Sequence, residues 1–129
     1  MPTRARPISP HMQIYHWGIC MSLSILHRIT GGFLALGLIL LAYWFVALAG
    51  GPQAYERAES IIGSPLGVLV LVGFTFAFLF HLMNGVRHLF WDAGRGFEKA
   101  ERRGGGWFVI VAALVLTLGL WVSIWRHLS

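Results

Sequence analysis

The stretch PLGVLVLVGFTFAFLFHLMNGVRHLFW, Pro65 to Trp91, settles the class of protein. It carries a single formal charge, Arg87. A helix crosses about 30 Å of hydrocarbon with roughly 20 apolar residues, so the run is long enough to span a bilayer. It lacks the strict alternation of a lipid-facing barrel strand and is far longer than such a strand needs. A helix satisfies the backbone where no water is at hand, and Pro65 suits a helical first turn. The reading is a helix over residues 65–93.

On either side, two further stretches behave alike. Ile29 to Ala49 is apolar, and its helix begins earlier, which gives a span over 21–49. Trp107 to Trp125 gives a third over 107–127. Gly50-Gly51-Pro52 stops the first span, and Gln53 to Ser64 forms a short polar link with room for a helical turn. Residues 94–106 read as a charged, glycine-rich loop, broken by Gly104-Gly105-Gly106 before the third span. Residues 1–20 read as an extended arm, because Pro2, Pro7 and Pro10 oppose helix. No repeat and no soluble domain is visible.

Composition agrees. Of 129 residues, 57% are hydrophobic and 12% charged, against roughly 45–50% and about 25% in soluble domains. The mean hydropathy of +0.68 argues against both a polar-skinned globule and a disordered chain. The net charge of +5 fits an anionic lipid surface better than nucleic acid, and no nucleic-acid partner is expected. Cys20 is the single cysteine and cannot form an internal disulfide. Ala47-Leu48-Ala49 resembles a signal-peptidase site behind an apolar run, Ile29 to Val46. That run is too long for a signal core, which takes about 7–15 residues. The first span is expected to stay attached.

Eight of the ten basic residues fall on one side: Arg4, Arg6 and Arg28 with Arg87, Arg95, Lys99, Arg102 and Arg103. Only Arg57 and Arg126 fall on the other. The positive-inside rule puts the N-terminus and the 94–106 loop in the cytoplasm and the C-terminus opposite. Tyr15, Trp17, Trp44, Trp91, Trp107, Trp121 and Trp125 gather near the predicted boundaries as an aromatic belt.

Function must come from the polar residues inside these spans, since each costs several kcal/mol there unless compensated. On the second span, His81, Asn84, Gly85, His88 and Asp92 share one helical face, opposite Phe76, Phe80, Val86 and Phe90. His81 sits about ten residues from the helix end, about 15 Å deep. At that depth a neutral imidazole has only protein, water or metal for a partner. Gly85, one turn on, removes a side chain where a flat group would need space. Haem packing on a helix has that requirement, and imidazole is a common axial ligand. The same pair also suits a histidine bridging two helices beside a glycine that permits close packing. Arg87 is expected to snorkel to the headgroups, and Asp92 to pair with Arg95 or His88.

Ser24, His27, Arg28 and Gly31 share a face of the first span. Both clusters lie toward the same membrane side, so they can form one polar site. A hydroxyl, an imidazole and a guanidinium there suit a quinone carbonyl or a haem propionate; they also suit a headgroup boundary. His11, His16 and His127 read as solvated. No Walker sequence, dinucleotide fingerprint or nucleophile elbow is present.

Three motifs occur in order: Arg6-Pro7-Ile8-Ser9-Pro10-His11, then Ser24-Ile25-Leu26-His27-Arg28-Ile29-Thr30-Gly31, then His81-Leu82-Met83-Asn84-Gly85-Val86-Arg87-His88-Leu89-Phe90-Trp91-Asp92. Over nearly its whole length the chain resembles the cytochrome b membrane-anchor subunits of succinate dehydrogenase, respiratory complex II. The resemblance implies an all-α integral membrane protein whose three spans join a larger bundle completed by a second anchor subunit. It implies haem b shared with that partner, with His81 as an axial iron ligand and His27 beside the propionates. Ser24 and Arg28 would line a ubiquinone site, and His88 would lie near the haem and quinone region. FAD and the iron–sulfur clusters would reside in a flavoprotein and an iron–sulfur subunit, against which the Ser-Pro-His stretch would sit.

On that resemblance the chain passes electrons from succinate to quinone in the tricarboxylic acid cycle and respiratory chain, as part of an enzyme and not a catalyst alone. The expected location is a bacterial inner membrane, N-terminus cytoplasmic and C-terminus periplasmic; the absence of a transit-like presequence favours it over the mitochondrial inner membrane. An anchor of the quinol:fumarate reductase type, or a non-haem structural or transport subunit, are the competing readings.

Overall fold

The computed structural model describes residues 17–128. Most of the expected arm, with His11, Tyr15 and His16, lies outside the described residues. Four helices follow in order: α1 (Ile19–Ala49), α2 (Pro52–Ile62), α3 (Pro65–Asp92) and α4 (Lys99–Leu128). No strand occurs among the described residues. α1, α3 and α4 are long and apolar enough to cross a membrane. The chain is an all-α, multi-pass membrane protein, as its apolar runs predict.

The breaks have local causes. The Gly50 N–H donates to the carbonyls of Val46 (2.9 Å) and Ala47 (3.2 Å), closing α1. Gly51 turns the chain at φ 92°, a conformation that favours glycine, and Pro52 opens α2. Ser64 caps α3 by accepting from the Gly67 N–H at 3.1 Å, with Pro65 in the first turn.

Two elements differ from the sequence expectation. The 53–64 link holds more than a turn: α2 is an 11-residue helix. Ala54, Glu56, Arg57, Ala58 and Glu59 favour helix, and the element has a place to dock. Ala58 is fully buried, and Tyr55 meets Trp44 of α1 edge to face.

The second difference is a correction. The loop expected over 94–106 is confined to 93–98, and the third long helix starts at Lys99 and not at 107. Gly104, Gly105 and Gly106 are helical. Each such glycine costs about 1 kcal/mol of helix propensity. At Gly106 the gain is proximity, since a Cβ there would stand 2.6 Å from the Leu23 side chain; one on Gly105 would make ordinary contact with Arg87 at 3.5 Å, and one on Gly104 would meet nothing within 4 Å. Gly94 and Gly96 make the turn instead, at φ 75° and 79°, and the Trp91 indole N–H ties it down through the Gly96 carbonyl at 3.0 Å.

α3 is the central element and packs against both α1 and α4. Leu23, Phe80, Val109 and Ala113 form the buried core where the three long helices meet. Phe80, on the face expected to meet lipid or neighbouring helices, meets helices. Elsewhere large apolar side chains stay exposed, Leu38 and Ile39 by about two-thirds. Such surface suits lipid or further helices.

Candidate functional site

Gly31 of α1 faces His81 of α3, and Gly37 faces Phe74. Contacts that run up α1 and down α3 mean the two helices are antiparallel. Thr30 lies about three turns into α1, and His81 about three turns before the end of α3. At about 1.5 Å per residue both stand about 16 Å from the same side of the bundle. The two polar clusters therefore meet at one depth.

The imidazole of His81 is half-buried and held from several directions. Its Nδ1 lies 3.2 Å from the His27 carbonyl and 3.3 Å from the Thr30 hydroxyl oxygen. A carbonyl only accepts, so Nδ1 carries the hydrogen and donates. Nε2 then holds the lone pair, and it makes no hydrogen bond among the described residues. The His27 ring stacks on the His81 ring, centroids 3.9 Å apart and planes 7° from parallel. A Cβ on Gly31 would lie 3.1 Å from His81 Cε1, so glycine there leaves room for the imidazole. One turn on from His81, a Cβ on Gly85 would meet nothing within 4 Å. That flank of α3 is open.

Two further features suit a ligand. His27 Nδ1 is buried without a hydrogen-bond partner. His88 stands edge-on to His27 at 5.4 Å and to Trp91 at 5.0 Å. It lines a cavity of about 300 Å³ with Cys20, Ser24, Asn84, Arg87 and Arg102.

Arg87 corrects the sequence reading. It does not snorkel; only 9% of it is exposed. Its guanidinium donates to the Arg102 carbonyl (2.9 Å) and to Asn84 Oδ1 (3.3 Å), and sits 4.2 Å over the Trp91 ring. Because guanidinium can only donate, Asn84 must turn its oxygen toward Arg87. Its amide nitrogen then points at His88 Nε2, 3.5 Å away. Asp92 is exposed and makes no ion pair among the described residues, neither with Arg95 nor with His88.

His27, His81, His88 and Ser24 are thus brought together, whereas Arg28 is exposed on the flank of α1 and does not line the cavity. Among the described residues no group of three His, Cys, Asp or Glu side chains could hold a bare ion. The arrangement offers the free Nε2 of His81 beside an open helix face, which suits a planar metal complex. Sequence reasoning missed Thr30 as a partner of His81; its place three residues after His27 was the available signal.

Residues 2–120 match the family described as succinate dehydrogenase/fumarate reductase transmembrane subunit. The chain is 38% identical over 113 residues to the succinate dehydrogenase cytochrome b556 subunit of Paracoccus denitrificans, covering 88% of this chain and 87% of that protein. It is 40% identical to the cytochrome b556 subunit of Rickettsia felis, covering 91% of each. Against the mitochondrial cytochrome b560 subunit of Sus scrofa the identity is 34%, over 89% of this chain and 69% of that protein.

Proposed function

The chain belongs to the succinate dehydrogenase/fumarate reductase transmembrane subunit family, and on that basis we propose that it anchors a succinate:quinone oxidoreductase, holds haem b through His81 and contributes Ser24 and Arg28 to the ubiquinone site. One observation carries the reading. The His27 carbonyl fixes the hydrogen of His81 on Nδ1, which leaves Nε2 as a ligand beside the open flank at Gly85. The relatives' names, cytochrome b556 and b560, support the same cofactor.

The residues fit the group. His81 would hold the iron through Nε2, and the orphaned Nδ1 of His27 would meet a propionate. As the family resemblance implies, a histidine of a second anchor subunit would hold the group together with His81. When bound, the haem supplies a one-electron store and joins the two anchors.

The quinone chemistry belongs to the Ser24 side. Succinate oxidised to fumarate on the flavoprotein releases two electrons and two protons, and the electrons descend the iron–sulfur subunit. Ubiquinone accepts two electrons and takes up two protons to become ubiquinol. Ser24, in the cavity wall, would donate a hydrogen bond to a quinone oxygen. Arg28, one turn on from Ser24 along α1 and exposed outside that cavity, would favour negative charge developing on that oxygen if its side chain turns toward the quinone. His88 lies against both regions. The N-terminus and the 93–98 loop would face the cytoplasm in a bacterial inner membrane, with the C-terminus in the periplasm.

His81→Ala in the assembled complex tests the haem assignment. The reduced-minus-oxidised spectrum should lose its low-spin haem bands; an unchanged spectrum means the iron is held elsewhere. Arg28→Ala tests the quinone assignment: quinone reduction should fall more than assembly. Normal reduction in a normally assembled complex excludes the role.

A further inference from the structure

The Nδ1–H of His81 has two acceptors on α1, and only one of them is backbone. The Thr30 hydroxyl oxygen lies 3.3 Å from Nδ1 and the His27 carbonyl 3.2 Å, so the hydrogen is shared between them. The hydroxyl has one hydrogen of its own. Its nearest acceptor is the Leu26 carbonyl at 2.8 Å; the His27 carbonyl is farther, at 3.0 Å. With that hydrogen on Leu26, the lone pairs of Oγ1 face His81. Thr30 is 5% exposed, so no bulk water competes for the position.

The opposite tautomer would set the Nδ1 lone pair against the His27 carbonyl oxygen, two acceptors within hydrogen-bond distance and nothing between them. The carbonyl therefore decides the tautomer, and the hydroxyl adds a second acceptor to the same hydrogen. An imidazole that donates from one nitrogen becomes a stronger base at the other, which is how outer partners fix and tune a metal-bound histidine.

We propose that Thr30 is a positioning residue for the axial ligand: its hydroxyl, with the His27 carbonyl, orients the His81 ring, presents Nε2 to the iron and raises its donor strength. The inference rests on His81 holding the haem. A stronger donor stabilises ferric over ferrous iron, so the hydroxyl lowers the midpoint potential of the haem.

The test is a potentiometric titration of the haem in the assembled complex, followed by its absorption bands. Thr30→Val keeps the shape and removes the acceptor; the potential should shift positive with the haem retained. Thr30→Ser restores the hydroxyl and should titrate as the parent does. An unshifted or more negative potential in Thr30→Val overturns the proposal, as does a shift in Thr30→Ser equal to that in Thr30→Val. Should Thr30→Val take up no haem, Thr30→Cys, which puts a weaker acceptor in place of the serine hydroxyl, should show a positive shift relative to Thr30→Ser; no shift there overturns it too. His81→Ala in parallel separates the two levels. Haem bands that survive His81→Ala refute the ligand assignment itself. Bands lost in His81→Ala beside an unshifted Thr30→Val refute only the role of Thr30.

Discussion

α1 meets α3 at two glycines, Gly31 and Gly37, and the two meetings do different things. At Gly37 the space admits the ring of Phe74: a Cβ there would lie 2.7 Å from the ring, and Phe33 stacks on the same ring at 4.1 Å. Around it runs an apolar groove of about 950 Å³, with Leu38, Leu41 and Phe78 in its walls. At Gly31 the space admits the imidazole of His81, with a Cβ 3.1 Å from its edge. Here the neighbours are the Thr30 hydroxyl and the His27 carbonyl. One helix pair thus uses a single device, a missing side chain, for dispersion at one level and for directed hydrogen bonds at the other. Packing tolerates small displacements gradually, whereas a ligand geometry depends on them directly.

Three substitutions pull the two levels apart. The largest effect is expected from Gly85→Ala. Its Cβ meets no protein atom within 4 Å, and alanine favours helix by about 1 kcal/mol, so protein stability should hold or rise. Haem content per complex, read from the pyridine haemochrome, should fall severely if the macrocycle lies where proposed, because the added methyl would occupy that open flank. Full haem content would mean the macrocycle lies elsewhere.

Gly37→Ala comes next. The methyl must displace the Phe74 ring, and overpacking of this kind costs about 1–3 kcal/mol. Thermal melting of the purified complex in detergent should drop while the haem spectrum stays as in the parent. A changed spectrum with unchanged melting would reverse the division between the two levels.

Gly31→Ala should have the smallest effect. A contact of 3.1 Å asks the His81 ring to give by a few tenths of an ångström. The haem should be retained with a displaced absorption maximum or potential, and melting should scarcely move. Melting lowered as far as in Gly37→Ala, with the haem bands unmoved, would show that Gly31 serves packing alone.

Much of this was legible in the chain, unevenly. The apolar runs predict all three long helices, and the expected end of α3 differs from the observed one by a single position. The helical spacing of His81, Asn84 and His88 puts them on one face, where the structure has His81 and His88 around His27. Gly104-Gly105-Gly106 reads locally as a breaker, yet all three are helical, and at Gly106 the Leu23 side chain comes close enough to make glycine the residue that fits. Arg87 reads as a snorkelling cation because the Arg102 carbonyl, Asn84 and Trp91 that receive it are assembled only by folding. The amphipathic α2 hides in a short polar link for the same reason: Ala58 is buried only once the bundle exists.

Local chemistry along the chain is enough to require three membrane-crossing helices with imidazoles on shared faces within them. Helical periodicity and the demand that hydrocarbon makes on backbone polar groups can be read in one stretch at a time. Which nitrogen of His81 is free, which cation is buried and where glycine brings helices together are settled only when the helices pack. Those outcomes depend on atoms supplied by chain segments far apart in sequence, such as the carbonyl of His27 on α1 facing the His81 ring on α3.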